Sequence, residues 1–350
     1  MRRFVFAVPG DLATPTGGYA YDRRVVAELT QLGWDVEVAD IGGDFPRPSA
    51  AMLGRASMQL LAVSKGTPIV VDGLAFGVLP ELAAELRRDH PLIALVHHPL
   101  ALETGIPADE ATAFRQSERA ALAHADRVIA TSPSTARCLA ADYGVAAEHI
   151  TVAPPGSEPR TRTPRRTDDG AVALLAVGSL VRRKGYDVLV AALARVQDLP
   201  WRLIIAGDPT RSPATAAALA ADIRRFGLDG RIVLAGAVSD GELEDLHAQA
   251  DLFVLPSRFE GYGMAFAAAI AHGLPVIGTT AGAIPETVPA GAGVLVPPDD
   301  VDALAAALRR LIGDAAERER LATAARAAAA RLPTWRQSAE LFAHAVEAAS

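Results

Sequence analysis

The chain has 350 residues, about twice the usual length of one domain, so two domains with a core each are expected. Half of the residues are hydrophobic and 21% are charged, which excludes a disordered or collagen-like chain. The 34 lysines and arginines against 41 aspartates and glutamates give a net charge of −7, which argues against nucleic-acid binding. The single cysteine, Cys138, excludes an internal disulfide and a cysteine-based zinc cage.

The sequence offers no candidate for a transmembrane segment. The first apolar run, residues 4–8, stops at Pro9-Gly10-Asp11 and is interpreted as a buried strand rather than a signal peptide. No uncharged apolar stretch reaches the roughly 18 residues that span a bilayer. We therefore predict a cytoplasmic location, and peripheral contact with the cytoplasmic face of a membrane stays open.

Short β-favouring runs alternate with longer helical patterns along the first half of the chain. They predict six strands, at 4–8, 36–39, 69–71, 92–96, 128–130 and 150–153. The runs are apolar throughout rather than alternating, which is typical of a parallel sheet with helices on both faces. We predict a doubly wound α/β domain over residues 1–158.

Residues 159–170 interrupt the alternation and predict a linker, because they are rich in Pro, Arg, Thr and Asp and have no hydrophobic period. Six further runs then predict a second α/β domain over residues 171–332, with strands at 171–177, 202–206, 232–234, 252–255, 276–277 and 294–296. From Val301 the pattern is helical, with a break at 332–334. Thr334 is expected to cap a final helix, at 333–350, that crosses back onto the first domain.

Ligands of open α/β sheets bind beyond the carboxyl ends of the strands. Two doubly wound domains facing a central cleft would therefore line it with the loops that follow their strands. The loop after the first strand ends in Thr16-Gly17-Gly18-Tyr19 before a helix, where backbone N–H groups can approach a phosphate. The spacing fits neither GxGxxG nor the P-loop, and a plain tight turn is an equal alternative.

Three loops of the second half combine glycine with charge. Residues 178–185 place three consecutive cations after a strand, which suits a diphosphate, although a solvated basic turn is the alternative. Residues 256–266 place Glu260 and two glycines before a helix whose first N–H groups are free to bind an anion. Residues 282–286 place a glycine and a proline near the start of a short helix.

The order and spacing of these segments resemble the retaining family-4 glycosyltransferases. The resemblance covers nearly all of the second half and rests on 178–185, Gly207-Asp208-Pro209, 250–257, Glu260-Gly261-Tyr262-Gly263-Met264 and 282–286. It implies the GT-B fold, in which two Rossmann-like domains hold a nucleotide-sugar donor, mainly on the second domain. It also implies that neither a metal nor another cofactor is needed.

The resemblance implies roles for residues of the second domain by their position in its motifs. Glu260 matches the glutamate that contacts the donor sugar, and Lys184 matches the cation on the donor diphosphate; both are predicted to be catalytic. The donor site implied around them further includes Gly178, Ser179, Arg183, Gly261, Tyr262, Gly263, Met264, Ala265 and Ala268.

Two positions depart from the family pattern. The second glutamate of the family, which grips the ribose hydroxyls eight residues after the first, is Ala268 here. The arginine that often follows the strand glycine is Ser179, so a second diphosphate cation must come from Arg182 or Arg183, or is absent. Each lost charged hydrogen bond costs about 1.5–3 kcal/mol, which weakens a transferase without necessarily abolishing it.

In the first domain, Gly18 matches the glycine turn near the donor phosphate. His98 follows a strand where the family often has a histidine close to the reacting sugar, so it is the third predicted catalytic residue, with His97 as its rival. The candidates for acceptor contact are Tyr19, Tyr21, Arg23, Arg24, His97, Glu103 and Thr104, although a partly exposed amphipathic helix explains the first four as well. The remaining histidines lack ligand spacing, so no metal site is predicted.

The function expected from these features is that of a retaining glycosyltransferase of hexosyltransferase type. It would move a sugar from a UDP- or GDP-sugar to the hydroxyl of a lipid, glycan or small-metabolite acceptor. The alternative is a nucleotide-sugar-binding or regulatory homologue that has lost turnover, since Ala268 and Ser179 replace expected contacts. A nucleotide-sugar epimerase with the same fold is a third reading, which the pattern at 260–263 does not favour.

Overall fold

A computed structural model describes residues 2–158, 160 and 170–350. The chain divides into two compact units: unit 1 is 1–156 together with 333–350, and unit 2 is 157–332. Of the linker predicted at 159–170, all but residues 160 and 170 lies outside the described residues.

Unit 1 is a six-stranded sheet with helices between its strands. Its elements are β1 (Arg3–Val8), α1 (Gly17–Gln31), β2 (Asp35–Asp40), α2 (Ala50–Leu61), β3 (Ile69–Asp72), α3 (Gly73–Phe76), α4 (Pro80–Leu86), β4 (Leu92–Val96), α5 (Ala108–Leu122), β5 (Arg127–Ala130), α6 (Pro133–Tyr143) and β6 (Ile150–Val152). Short 3₁₀ turns at Leu100–Leu102 and Ala147–His149 complete it.

The strand order in unit 1 is β2-β1-β3-β4-β5-β6, and every neighbouring pair is parallel. The central strands β3 and β4 are buried along their whole length, as an apolar run between two helical layers requires. The order reverses between β1 and β3, and ligands of such sheets bind in the crevice that this reversal opens at the carboxyl ends.

Unit 2 repeats the alternation. Its elements are β7 (Val172–Val177), α7 (Tyr186–Leu193), β8 (Trp201–Ala206), α8 (Pro213–Arg225), β9 (Ile232–Gly236), α9 (Asp240–Gln249), β10 (Leu252–Val254), α10 (Met264–Ala271), β11 (Val276–Thr279), α11 (Ile284–Thr287), β12 (Gly293–Val296), α12 (Val301–Gly313) and α13 (Ala315–Ala329). Two 3₁₀ turns, Arg182–Lys184 and Ala194–Val196, flank α7.

The sheet of unit 2 runs β12-β11-β10-β7-β8-β9 and is also parallel throughout. This is the Rossmann strand order, with its reversal between β7 and β10. The loops that follow β7 and β10 therefore leave the sheet side by side. They are the two loops that carry Lys184 and Glu260.

The last helix, α14 (Trp335–Ala349), returns to unit 1. Thr334 caps it as predicted, in a capping box in which Thr334 Oγ1 accepts from the N–H of Gln337 and the Gln337 side chain accepts from the N–H of Thr334. Phe342 is fully buried, with its ring 6.0 Å from that of Phe4. A Cβ at Gly156 would lie 2.2 Å from the backbone N of Trp335, so only glycine allows the chain to pass the start of this helix.

Two expectations about burial and continuity need correction. The edge strands are not covered on both faces: Val38 of β2 is 40% exposed and Val233 of β9 is 58% exposed, because each lies on an edge strand of its sheet. The helical region after Val301 has a second break at Asp314, which ends α12 and whose side chain caps α13. No helix in the part of the chain that the structure describes is both long and apolar enough to cross a bilayer.

Candidate functional site

Glu260 lies at the centre of a buried ion-pair cluster at the carboxyl edge of the unit 2 sheet. Its Oε1 accepts from Lys184 Nζ at 2.8 Å and from Ser257 Oγ at 2.6 Å, and its Oε2 accepts from an Arg183 guanidinium nitrogen at 3.0 Å. Burial alone would raise the pKa of Glu260, but the charges of Lys184 and Arg183 outweigh it and lower that pKa to about 2. Glu260 is therefore an ionised carboxylate with two cations fixed around it.

The turn that presents Lys184 depends on close backbone packing. A Cβ at Gly207, after β8, would lie 1.9 Å from the carbonyl oxygen of Gly178, so the two loops can meet only at glycine. Gly185 has φ +69°, and a Cβ there would lie 2.1 Å from the carbonyl oxygen of Pro256. The Tyr186 hydroxyl donates to the Gly178 carbonyl at 2.6 Å. The turn is thus packed against both neighbouring strands.

Arg258 braces the same turn from the loop after β10. Its guanidinium forms a fork with the Asp187 carboxylate, at 3.0 and 2.7 Å, and also donates to Asp299 at 2.7 Å. Its backbone N–H donates to the Arg183 carbonyl at 2.7 Å. Arg258 therefore links the Lys184 turn to the Glu260 loop, and sequence reasoning did not single it out.

The helix α10 begins beside this cluster. Gly263 precedes it with φ +95°, a left-handed conformation that favours glycine, and the first N–H groups of a helix have no partner within the helix itself. Gly282, with φ +55°, allows close approach to Glu260, since a Cβ there would lie 2.4 Å from the Glu260 carbonyl oxygen. The adjacent Ala283 N–H donates to that carbonyl at 2.9 Å. The structure thus joins the loops at 256–266 and 282–286 that the sequence singled out.

The two departures from the family pattern fall in the same region. Ala268 lies in α10 and is partly exposed, and its carbonyl accepts from the N–H and from Nδ1 of His272. Ser179 follows Gly178, and its carbonyl accepts from the Val181 N–H at 2.8 Å. Of the two arginines proposed as a substitute cation, Arg183 is paired with Glu260 and Arg182 is exposed.

Unit 1 gathers a second cluster at the reversal point of its own sheet. Asp22 lies in α1, Asp72 ends β3 and His97 directly follows β4. His97 Nε2 lies 3.3 Å from a carboxylate oxygen of Asp22 and 3.3 Å from one of Asp72. Gly18 is adjacent, since a Cβ there would contact the His97 ring at 3.4 Å.

The charges of this second cluster are strongly interdependent. Burial favours a neutral imidazole, yet the carboxylates of Asp22 and Asp72 outweigh it and raise the pKa of His97 well above its usual value. Burial raises the pKa of the fully buried Asp22 carboxyl. Among the described residues, neither Asp22 oxygen accepts a hydrogen bond within normal geometry. The His97 ring is the nearest group that can balance the negative charge of this carboxylate.

The other candidates of unit 1 occupy different environments. His98 Nε2 lies 3.6 Å from the Glu103 carboxylate, and both side chains are partly exposed. The Tyr19 hydroxyl donates to the Pro9 carbonyl, and Arg23 donates to the carbonyls of Leu12 and Thr14. Both side chains therefore hydrogen-bond to the loop before α1. Tyr21 is 0% exposed and donates to the Ala153 carbonyl at 2.9 Å, which corrects its suggested acceptor contact.

Sequence reasoning missed Asp22 and Asp72. A signal was present for Asp72, which follows three apolar strand residues and precedes a glycine, at the edge where ligands of such sheets bind. Asp22 gave no comparable signal, because a single aspartate in an amphipathic helix normally lies on the solvated face.

Two family models match the chain. The model described as "Glycosyl transferases group 1" matches residues 171–314, and the model described as "Glycosyltransferase Family 4" matches residues 69–160. The first covers the loops around Lys184 and Glu260, and the second covers Asp72, His97 and His98.

Individual proteins show the same likeness. The chain is 28% identical to an MMP alpha-(1->4)-mannosyltransferase of Mycolicibacterium hassiacum, over 84% of this chain and 74% of that protein. It is 31% identical to a D-inositol 3-phosphate glycosyltransferase of Xylanimonas cellulosilytica, over 71% of this chain and 64% of that protein. The structure of HepE from Anabaena in complex with UDP-glucose superposes with a TM-score of 0.79 at 19% identity, covering 99% of this chain and 100% of HepE.

Two parallel doubly wound units with this strand order and these loops define the GT-B class of fold. Both models and these relatives support a family-4 glycosyltransferase of that class.

Proposed function

We propose that this chain is an active retaining glycosyltransferase. It takes a sugar from a nucleoside diphosphate sugar, with UDP or GDP as the carrier, and transfers it to an acceptor hydroxyl without a metal ion. The observation that carries the proposal is the cluster in which Lys184 and Arg183 converge on Glu260 beside the start of α10. Cations and helix N–H groups are the partners that a diphosphate requires.

The physical role of this cluster is electrostatic. As the bond between the sugar and the diphosphate breaks, negative charge grows on the leaving phosphate oxygen, and fixed cations and N–H groups stabilise it without reorganising. Lys184 and Arg183 are only 13% and 16% exposed, so solvent screens them weakly. We assign to them the stabilisation of the leaving diphosphate, and to the α10 N–H groups at Met264 and Ala265 a share of it.

Glu260 suits sugar binding better than proton transfer. A carboxylate with a pKa of about 2 is a weak base, so it would take little of the proton of an acceptor hydroxyl at neutral pH. We propose that Glu260 accepts hydrogen bonds from donor-sugar hydroxyls. The acceptor proton then passes to an oxygen of the leaving phosphate on the face from which the phosphate departs, which retains the configuration of the sugar.

The names of related proteins support the donor and acceptor classes. The relatives are named as transferring mannose or as acting on inositol phosphate, and HepE was solved with UDP-glucose. A polyhydroxylated or phosphorylated small molecule, a glycan and a lipid headgroup are therefore the acceptor classes to test. A binding homologue without turnover is the second candidate, favoured by Ala268 and Ser179 at the positions of two expected donor contacts.

A transfer assay tests the proposal. The protein is incubated with radiolabelled UDP-, GDP- and ADP-sugars, with and without cell extract and with EDTA present throughout. We expect transfer, or slow hydrolysis of one donor, and a loss of at least tenfold in Lys184→Ala and Glu260→Ala. Lys65→Ala is the matched control, because Lys65 is 80% exposed and pairs with Asp89 in unit 1. Tight donor binding without turnover would establish the second candidate, and absence of both would refute the two.

A further inference from the structure

We propose that His97 acts in sugar transfer as a cationic imidazolium, and that Asp22 and Asp72 are positioning residues that hold it in that form. The inference rests on the transferase function proposed above. It concerns the charge state of one side chain of unit 1.

The geometry favours a positive charge between the two carboxylates. Asp22 is 0% and Asp72 3% exposed, and His97 Nε2 lies 3.3 Å from an oxygen of each. The second oxygen of Asp72 already accepts from the Leu74 N–H at 2.8 Å. Asp22 has no hydrogen-bond donor among the described residues, so an ionised Asp22 depends on the charge of the imidazole ring. A buried carboxylate can stay ionised when it is paired with a positive charge in this way.

The other groups packed around the cluster do not replace that charge. From α1, Tyr21 presents its ring edge to His97 at 5.3 Å, while its hydroxyl donates to the Ala153 carbonyl. Arg23 adds a favourable charge to Asp22, but its guanidinium donates to the Leu12 and Thr14 carbonyls. From the loop after β5, the Thr131 hydroxyl donates to the His97 carbonyl and carries no charge.

His98 faces a different partner. Its Nε2 lies 3.6 Å from Glu103, whose side chain is 42% exposed. Solvent screens an exposed carboxylate, so its interaction with a charged group is weaker than that of a buried carboxylate. The two adjacent histidines therefore lie in different surroundings, since His97 faces two buried carboxylates and His98 faces one that is partly exposed.

His97 is placed to meet a ligand. Its side chain is 22% exposed, and its ring touches the Gly18 position at the first turn of α1, which contains no acidic residue. An imidazolium there donates a hydrogen bond and carries positive charge, so it stabilises an anionic or hydroxyl oxygen. It cannot take the proton of the acceptor hydroxyl, because both of its ring nitrogens already carry a proton. The bond between the sugar carbon and the acceptor oxygen then forms as the bond between the sugar carbon and the phosphate oxygen breaks. The proton of the acceptor hydroxyl goes to the leaving phosphate oxygen, and His97 keeps both of its ring protons.

Nuclear magnetic resonance of histidine-labelled protein tests the charge state directly. Spectra of His97→Gln and His98→Gln assign the two rings, and the ¹⁵N shifts report protonation from pH 5.5 to 9. We expect the His97 ring to stay doubly protonated up to at least pH 8.5. In Asp22→Asn and Asp72→Asn it should titrate between about pH 5 and 8, because the ordinary imidazole value is about 6.5, burial lowers it and the one remaining carboxylate raises it. Glu103→Gln is the matched control and should change only the His98 signal.

The pH profile of transfer supplies the functional readout. Asp22→Asn should transfer sugar at pH 6 within a few-fold of the natural protein, then lose activity about tenfold per pH unit above the new pKa of His97. The natural protein should show no such fall below pH 8.5. A merely structural role for Asp22 would lower activity equally at every pH and would refute the positioning role.

Other results would also overturn the inference. One is an His97 ring that titrates near pH 6.5 in the natural protein, and another is full transfer activity in His97→Gln. A third is stoichiometric broadening of the His97 signals by Mn²⁺, which would show that the cluster is a metal site. The charge measurement needs no turnover. If every sugar nucleotide fails to react while His97 proves cationic, the proposed transferase function is wrong, but the charge assigned to His97 is still correct.

Discussion

A Cβ atom at Gly178 would lie 2.9 Å from Cε of Lys184. The strand glycine therefore leaves the space in which the lysine stem runs before its ammonium reaches Glu260. Gly178 has φ +152°, which side chains rarely adopt, so the position is restricted to glycine twice over.

Gly178→Ala should move Lys184 away from Glu260 and weaken donor binding at least tenfold. The displaced ammonium can no longer reach both the carboxylate and a diphosphate, and the backbone strain costs about 1–3 kcal/mol. Calorimetric titration with UDP and GDP measures the binding, and urea unfolding measures the strain. Gly227→Ala is the control, since Gly227 has φ +68° but meets no atom within 4 Å. Equal loss of donor affinity in both variants would contradict the spatial argument.

Ala268→Glu should increase the use of UDP-sugars. Ala268 is partly exposed on α10, eight residues beyond Glu260, at the position where the family that the sequence resembles has the glutamate that binds the ribose hydroxyls. A charged hydrogen bond contributes about 1.5–3 kcal/mol, which corresponds to roughly ten- to hundredfold in kcat/KM. Ala268→Gln adds the same bulk without the charge and should gain less. No gain in either variant would mean that another residue already supplies this contact.

Glu260 should make the stability of unit 2 depend on pH in the acid range. Its pKa is lowered to about 2 in the folded protein, against about 4.5 in an unfolded chain. Because the pKa is lowered on folding, the ionised carboxylate adds to the free energy of unfolding in full above pH 4.5, and this contribution is lost as the pH falls towards 2. The full contribution is about 3 kcal/mol.

Urea unfolding at pH 7 and pH 3 checks this pH dependence. The stability difference between the natural protein and Glu260→Gln should be largest at pH 7 and should shrink at pH 3. Glu319→Gln serves as the control, because the Glu319 side chain is 68% exposed. A difference that stays constant between the two pH values would show that Glu260 is not held ionised by its two cations.

Phe342→Ala should destabilise unit 1 by about 3–5 kcal/mol, the usual cost of removing a fully buried aromatic ring. Phe342 is 0% exposed, and its ring centroid lies 6.0 Å from that of Phe4 and 6.1 Å from that of Phe6. Leu341→Ala, at the neighbouring position with 39% exposure, should cost less than about 1 kcal/mol. Thermal unfolding of both variants measures the difference. Similar losses would show that α14 does not seal the core of unit 1.

The strands were predictable because their signal is local. All twelve predicted strands occur, each within two residues of its expected ends. A run of apolar residues between turn residues reports burial wherever its neighbours lie, and Thr334 caps α14 because a capping box needs only residues three apart. The same locality explains the failure at the edges, since the apolar run in β9 does not reveal that β9 lies outermost in its sheet.

The sequence by itself determined the fold class, the motif loops and the family they resemble. It did not decide which side chains meet. Lys184 and Glu260 are 76 residues apart, and they meet because β7 and β10 are neighbours in the sheet. Asp22, Asp72 and His97 converge because the strand order brings the ends of β1, β3 and β4 to one edge. Strand order is set by packing over the whole unit, so only the tertiary structure could separate His97 from His98.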